Sequence, residues 1–275
     1  MKERVFCFGP RQSTVGILAE PDAQLAIAGA PTVLLWNVGI NHRVGPFRFN
    51  VDLARQLAAR GISSLRFDLS GLGDSPPRSD SLADRQRAIL DLREAMAALR
   101  ERKGVRQFAL VGFCSGVDQA HEVALLEPDV AAAAFIEGYS YRTRGFWLRY
   151  PLRFLGLPRW NRLLLERRST WLGAKQPAPT SVYRREYPPP EKFRADIGTM
   201  ISRGTRLLFA FASDTEFNHA GQLASMIGAE AADRVELAYL PDADHTFYRA
   251  SDRARVIDRL LAFAAYGTST KVVTL

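Results

Sequence analysis

Short apolar runs alternate along this chain with longer stretches whose apolar positions recur every third or fourth residue. The first kind predicts strands buried on both faces, the second amphipathic helices. Residues 4–8 and 14–19, parted by Gly9-Pro10, predict an opening hairpin. Strands are then expected at 32–38, 62–69, 108–113, 130–137, 206–212 and 235–240. Between them, Val51, Leu53, Leu57 and Ala58 mark a helix over 47–60 that stops before Gly61. Leu82, Ile89, Leu92, Met96 and Leu99 mark one that ends before Gly104, and Val117, Ala120, Ala124 and Leu125 a third. Helices near 220–227 and over 251–265 complete the alternation, the last with Ile257, Leu260, Leu261 and Ala264 inward. Strand after helix in this order predicts an α/β fold, a mostly parallel sheet covered on both sides.

The stretch Gly112-Phe113-Cys114-Ser115-Gly116 stands between a predicted strand and a predicted helix. A small residue two places before and two after the centre lets strand and helix approach closely. The centre itself then sits on a strained turn at a helix N-terminus, where backbone N–H groups and the positive dipole end converge. A helix N-terminus and a nearby imidazolium both lower a thiol's pKa, so Cys114 is the candidate nucleophile. A buried cysteine that only packs is the plain alternative. Ser115 is a rival one place past the apex; its backbone N–H, directly after the nucleophile, stands where an oxyanion needs a donor.

Composition narrows the class. A chain of 275 residues, 47% hydrophobic and 24% charged, fits one large globular domain. Its two cysteines, Cys7 and Cys114, give no disulfide framework, and residues 1–13 hold no long apolar segment, so a cytoplasmic protein is expected. No His/Cys/Asp cluster has the spacing of metal ligands, and neither metal nor cofactor is expected.

Three loops follow predicted strands at their carboxyl ends, where open α/β sheets place ligands. They are the Cys114 turn, Ala212-Ser-Asp214-Thr-Glu216, and Asp242-Ala-Asp-His245-Thr-Phe247. Nucleophile, acid, then histidine is the chain order of the α/β hydrolases, and the sequence resembles that superfamily over nearly its whole length. Asp68-Leu-Ser-Gly71-Leu-Gly73-Asp-Ser75 is similar to its Asp-x-x-Gly-x-Gly-x-Ser loop. Arg43-Val-Gly-Pro and residues 136–144 resemble a bacterial, peptidase-like subgroup associated with exosortase and polysaccharide gene clusters. The resemblance implies Cys114 as nucleophile, His245 as general base and Asp214 as the carboxylate that orients it. Glu216, Asp242 and Asp244 compete with Asp214, and His219 is the substitute for His245. His121 reads as packing. Asp68 reads as a loop-shaping acceptor.

The resemblance also implies an oxyanion hole from the backbone N–H groups of Ser115 and Ile40, although Val38-Gly39 replaces the superfamily's usual His-Gly. Gly39, Asn41 and His42 of the same loop, with Trp147, are the candidate substrate contacts. A cysteine at the apex is similar to dienelactone hydrolases and polyhydroxyalkanoate synthases, which join Cys, Asp and His on this fold.

Residues 1–139 and 201–275 are expected to form the core, and 140–200 a helical lid inserted after the strand that follows the Cys114 turn. Residues 140–190 carry ten Arg and one Lys against two Glu, a net +9 where the whole chain carries +8. The rest is therefore about neutral, and the basic excess belongs to the insert. Trp147, Trp160 and Trp171 lie there too. Three readings stand: a solvated cap, a receiver for an anionic substrate such as coenzyme A or a carrier protein, and a peripheral contact with anionic lipid. Nucleic acid has no recognised module here. The expected reaction is hydrolysis of an ester or thioester through an acyl-cysteine. The alternatives are acyl transfer from a coenzyme A or carrier thioester, and a non-catalytic binding protein on the same scaffold.

Overall fold

A computed structural model describes residues 1–151, 187–213, 216–265 and 273–274. The opening hairpin is β1 (Lys2–Phe8) and β2 (Thr14–Glu20), antiparallel to each other, with β2 antiparallel to β4 (Ser64–Phe67). From there the pairing is parallel: β4 with β3 (Thr32–Leu35), β3 with β5 (Phe108–Phe113), then β6 (Val130–Ile136), β7 (Arg206–Ala212) and β8 (Glu236–Leu240). A two-residue β9 (Val273–Thr274) pairs with β8, so the order across the sheet is β1-β2-β4-β3-β5-β6-β7-β8-β9.

Alternate residues of each central strand feed two separate cores, as period-two geometry requires. Leu34, Leu110 and Phe209 point into one, Val33, Ala109 and Leu208 into the other. Helices α2 (Asp84–Lys103) and α3 (Gly116–Leu126) close the first through Leu92, Met96, Val117 and Ala120. Helix α1 (Phe49–Ala59) closes the second through Leu53 and Leu57. Gly104 ends α2 in the left-handed conformation, φ 67°, which caps the last carbonyls without a Cβ penalty.

The expected strands 32–38 and 62–69 are shorter in the ladder because Trp36, Asn37 and Asp68 leave it to build the loops over the sheet's carboxyl edge. After β6 comes α4 (Arg144–Arg149), capped by Thr143, whose Oγ1 accepts the Phe146 N–H at 3.3 Å. The next described helix is α5 (Pro190–Ser202), with proline at its first position. Although α5 falls within the 140–200 stretch read as insert, it buries Phe193, Ile197 and Met200 in the first core. Helix α5 therefore belongs to the core layer. Helices α6 (Gln222–Ile227), α7 (Ala229–Ala232) and α8 (Ala250–Ala264) finish the chain, α8 sealing the second core with Ile257, Leu260 and Leu261. Among the described residues, no helix is long and apolar enough to cross a membrane.

Candidate active site

Three side chains meet over the carboxyl ends of β5, β6 and β8. Cys114 ends β5 at φ 49°, a left-handed turn that costs a non-glycine residue about 1–3 kcal/mol. The turn holds because strand and helix touch through glycine. A Cβ on Gly112 would lie 2.6 Å from the Gly116 carbonyl oxygen and 2.8 Å from the Ala120 Cβ. Gly112→Ala should therefore cost about 1–3 kcal/mol of stability, read as a lower urea midpoint, and should displace the apex it supports.

His245 follows β8 and faces the thiol: its Nε2 lies 3.3 Å from Cys114 Sγ. Behind the ring, Nδ1 lies 2.8 Å from Glu137 Oε2. An ionised carboxylate only accepts, so Nδ1 carries a proton. Glu137 is the first residue past β6, itself at φ 52°, with its side chain 1% exposed. Its other oxygen accepts the Ala212 N–H from the neighbouring strand. Both carboxylate oxygens are thus engaged, which fixes the plane of the group. Phe113 packs beside the imidazole, ring centroids 6.4 Å apart. The His245 pKa is pushed up to about 10, first by its bond to Cys114 and then by that to Glu137, against the effect of burial. The imidazole is therefore charged at neutral pH, beside a sulfur that gains by ionising.

The sequence placed a carboxylate behind His245 but chose Asp214, which lies outside the described residues. The group found there is Glu137. Its signal was present: a lone acid closing the apolar run of β6, one strand from the nucleophile's own. Glu216 instead pairs with Arg142 at 3.1 Å, and Asp244 accepts from the Thr246 and Tyr248 backbone, shaping the turn that carries His245.

The loop after β3 stands against the Cys114 turn. Gly39 N–H donates to Ser115 Oγ at 2.7 Å, so the serine side chain tethers the loop and the Gly39 donor is engaged. The backbone N–H groups of Ile40 and Ser115 have no hydrogen-bond partner among the described residues, and both residues line one cavity. Asp68, fully buried, braces the loop from below. It accepts from Asn37 Nδ2 at 2.9 Å, the Arg43 N–H at 2.6 Å, the Asp74 N–H at 3.1 Å and the Arg43 guanidinium.

His42 is bound up in that brace, its Nε2 2.8 Å from Arg43 Nη1. Donor atoms of His42, Asp68 and Asp74 converge within 4.8 Å, the reach of a metal site. Arg43 Nη1 already contacts all three, so a guanidinium supplies the positive charge there. The Asn41 carbonyl accepts from Asn37 Nδ2 at 2.7 Å. Trp147, 53% exposed on α4, meets Phe146 edge-on and Tyr150 at a tilt, and no residue of α4 lines the cavity. His121 is buried among Phe135, Tyr139 and Phe193 and is pushed down to about 4 by burial. His219 lies against Gly145 at the base of α4, away from Cys114.

Strand order, the strained cysteine turn and a histidine after β8 coincide with a match to the alpha/beta hydrolase family across residues 33–259. The chain belongs to the alpha/beta hydrolase family. No curated protein sequence matches it. Solved structures of the same fold include an esterase domain of a Rhodothermus marinus protein, 18% identical with a TM-score of 0.57, matched over 96% of this chain and 98% of that one. A proline iminopeptidase of Mycobacterium smegmatis is 16% identical, TM-score 0.55, over 96% and 99%. A lidless α/β serine hydrolase of Xanthomonas campestris is 13% identical, TM-score 0.59, over 98% and 97%. At these identities the likeness is one of fold.

Proposed function

We propose that this alpha/beta hydrolase cleaves a carboxylic ester or thioester through an acyl-cysteine on Cys114, with His245 and Glu137 as its partners. The carrying observation is the line Sγ–Nε2–Nδ1–Oε2, with contacts of 3.3 and 2.8 Å. Glu137 takes the part that the sequence reading gave to Asp214.

In the first half-reaction the thiolate attacks the carbonyl carbon, and the carbonyl oxygen becomes an oxyanion held by the Ser115 and Ile40 N–H groups. On collapse the bond to the leaving oxygen or sulfur breaks, and the imidazolium gives that atom its proton. In the second half, neutral His245 takes a proton from water. The hydroxide adds to the thioester carbon, the carboxylic acid departs, and the Cys114–His245 ion pair is restored. Glu137 keeps Nδ1 protonated throughout and offsets the ring charge. An acyl acceptor other than water would use the same first half. The exposed Arg144, Trp147 and Leu148 at the start of the insert support a reading in which an anionic carrier or surface docks there.

Alkylation tests the nucleophile. The rate of Cys114 carboxamidomethylation by iodoacetamide should persist well below pH 7. An unstructured cysteine peptide in the same reaction should slow about tenfold per unit below the free thiol's pKa of about 8.5. Parallel profiles for Cys114 and the peptide would refute the ion pair.

A further inference from the structure

The cavity beside the oxyanion donors has a volume of about 340 Å³, within the range of small-molecule sites. Ile40, Ser115 and Gln119 line it together with the apolar side chains of Leu69, Leu72 and Ala88. Neither Cys114 nor His245 lines it. His245 must reach the leaving atom, so the leaving group lies on the imidazole's side of the tetrahedral carbon. The cavity, lined by the two residues that carry the oxyanion donors, is left for the acyl substituent.

Gln119 is the unusual wall. It is 5% exposed and sits four residues after Ser115 on α3, one helical turn along the same face. Its Oε1 accepts the indole N–H of buried Trp36 at 3.4 Å. An indole is a donor only, so this contact fixes which way the amide faces. Nε2 is turned away from Trp36 and has no hydrogen-bond partner among the described residues. Asn37, Ser70 and Asp91 on the same walls are all engaged. Gln119 lines the cavity, so an acceptor brought into that space can take the hydrogen bond that the protein leaves unmade at Nε2.

Building on the acyl-cysteine reading, we propose that this cavity takes a short acyl group bearing an oxygen acceptor a few bonds beyond the reacting carbonyl, and that Gln119 Nε2 donates to that oxygen. A carbonyl or ether oxygen on the chain meets the donor; a plain alkyl chain of equal length leaves it bare. Sites that hydrogen-bond a substrate group discriminate against analogues lacking it far better than apolar pockets discriminate by size. Gln119 is thus a specificity residue of the acyl side.

The experiment compares 4-nitrophenyl esters of pentanoate, 3-methoxypropanoate, in which one methylene is replaced by oxygen, and 4-oxopentanoate. Acylation of Cys114 is followed by the nitrophenolate burst and by intact mass. Gln119→Glu keeps the acceptor for Trp36 and removes the donors; Gln119→Leu removes both, and thermal unfolding reports whether each variant is folded. The expected result is a loss of roughly tenfold or more in kcat/KM for at least one oxygenated ester, with pentanoate changed about twofold at most. Equal factors for all three esters in folded variants, with wild-type acylation intact, would overturn the role of Gln119 alone. No acylation of wild-type Cys114 by any ester would overturn the acyl-cysteine reading, and the proposal with it.

Discussion

Cys114→Ala is expected to lose about 10³–10⁶-fold in kcat on any ester the wild type turns over, leaving what the oxyanion donors and binding supply alone. The protein should remain folded, because the side chain is half-buried and alanine adopts the turn no worse than cysteine. Intact mass after mixing with activated esters should show an adduct on the wild type and none on the variant. An adduct that persists, or that maps to Ser115, removes the nucleophile from the account. Cys114→Ser is the informative companion. A hydroxyl does not ionise beside the ring, so the first cause of the raised His245 pKa disappears. Residual activity of that variant should then depend on neutral imidazole, with an acid limb below the wild-type His245 value of about 10 but still supported by the bond to Glu137.

Glu137→Gln should be nearly as damaging, about 10²–10⁴-fold in kcat, with little change in KM. Glutamine can still accept the Ala212 N–H, so the fold survives, but its amide offers His245 Nδ1 a donor in place of an acceptor. That favours the wrong tautomer and removes the charge that helps hold the ring protonated. The pH profile separates this from simple disruption. His245 is raised from an ordinary value of about 6.5 to about 10, so the imidazolium is complete below the first and is lost as pH climbs through the second. Wild-type acylation should therefore keep an alkaline limb near pH 10, and the variant's should move toward neutrality. If Asp214→Asn gave the large loss and Glu137→Gln left rate and profile unchanged, the partner of His245 would be misassigned.

Much of the scaffold was legible because a doubly covered parallel sheet writes itself into sequence: its strands are apolar without interruption and its helices striped. The pairing of Cys114 with His245 was legible for a related reason, since each has a distinctive local setting, two glycines about Cys114 and a strand-end loop about His245. The acid was not. Any strand end places a carboxylate at the same edge of the sheet, and only the three-dimensional spacing of β6 and β8 decides which one reaches Nδ1. Gln119 was invisible for another reason. A glutamine on a helix after the nucleophile reads as ordinary surface until Trp36 is seen to fix its orientation. Helix α5 escaped because the basic, aromatic stretch before it drew residues 140–200 into a single unit, although Phe193, Ile197 and Met200 carry a core-facing period.

Cys114 and Glu137 stand on adjoining rungs: the Cys114 N–H donates to the Ile136 carbonyl at 2.8 Å, and the Glu137 N–H to Ala210 at 2.8 Å. The gap between sulfur and carboxylate is thus gauged by interstrand spacing, which thermal breathing of the molecule scarcely alters. The ring that bridges them hangs on a turn closed by Asp244 and bent at Phe247, φ 51°. The two outer groups are thus fixed to the sheet, while the ring between them is carried by a loop. Any ligand or distant substitution that throttles this protein without touching its reacting atoms should therefore act by moving residues 241–248.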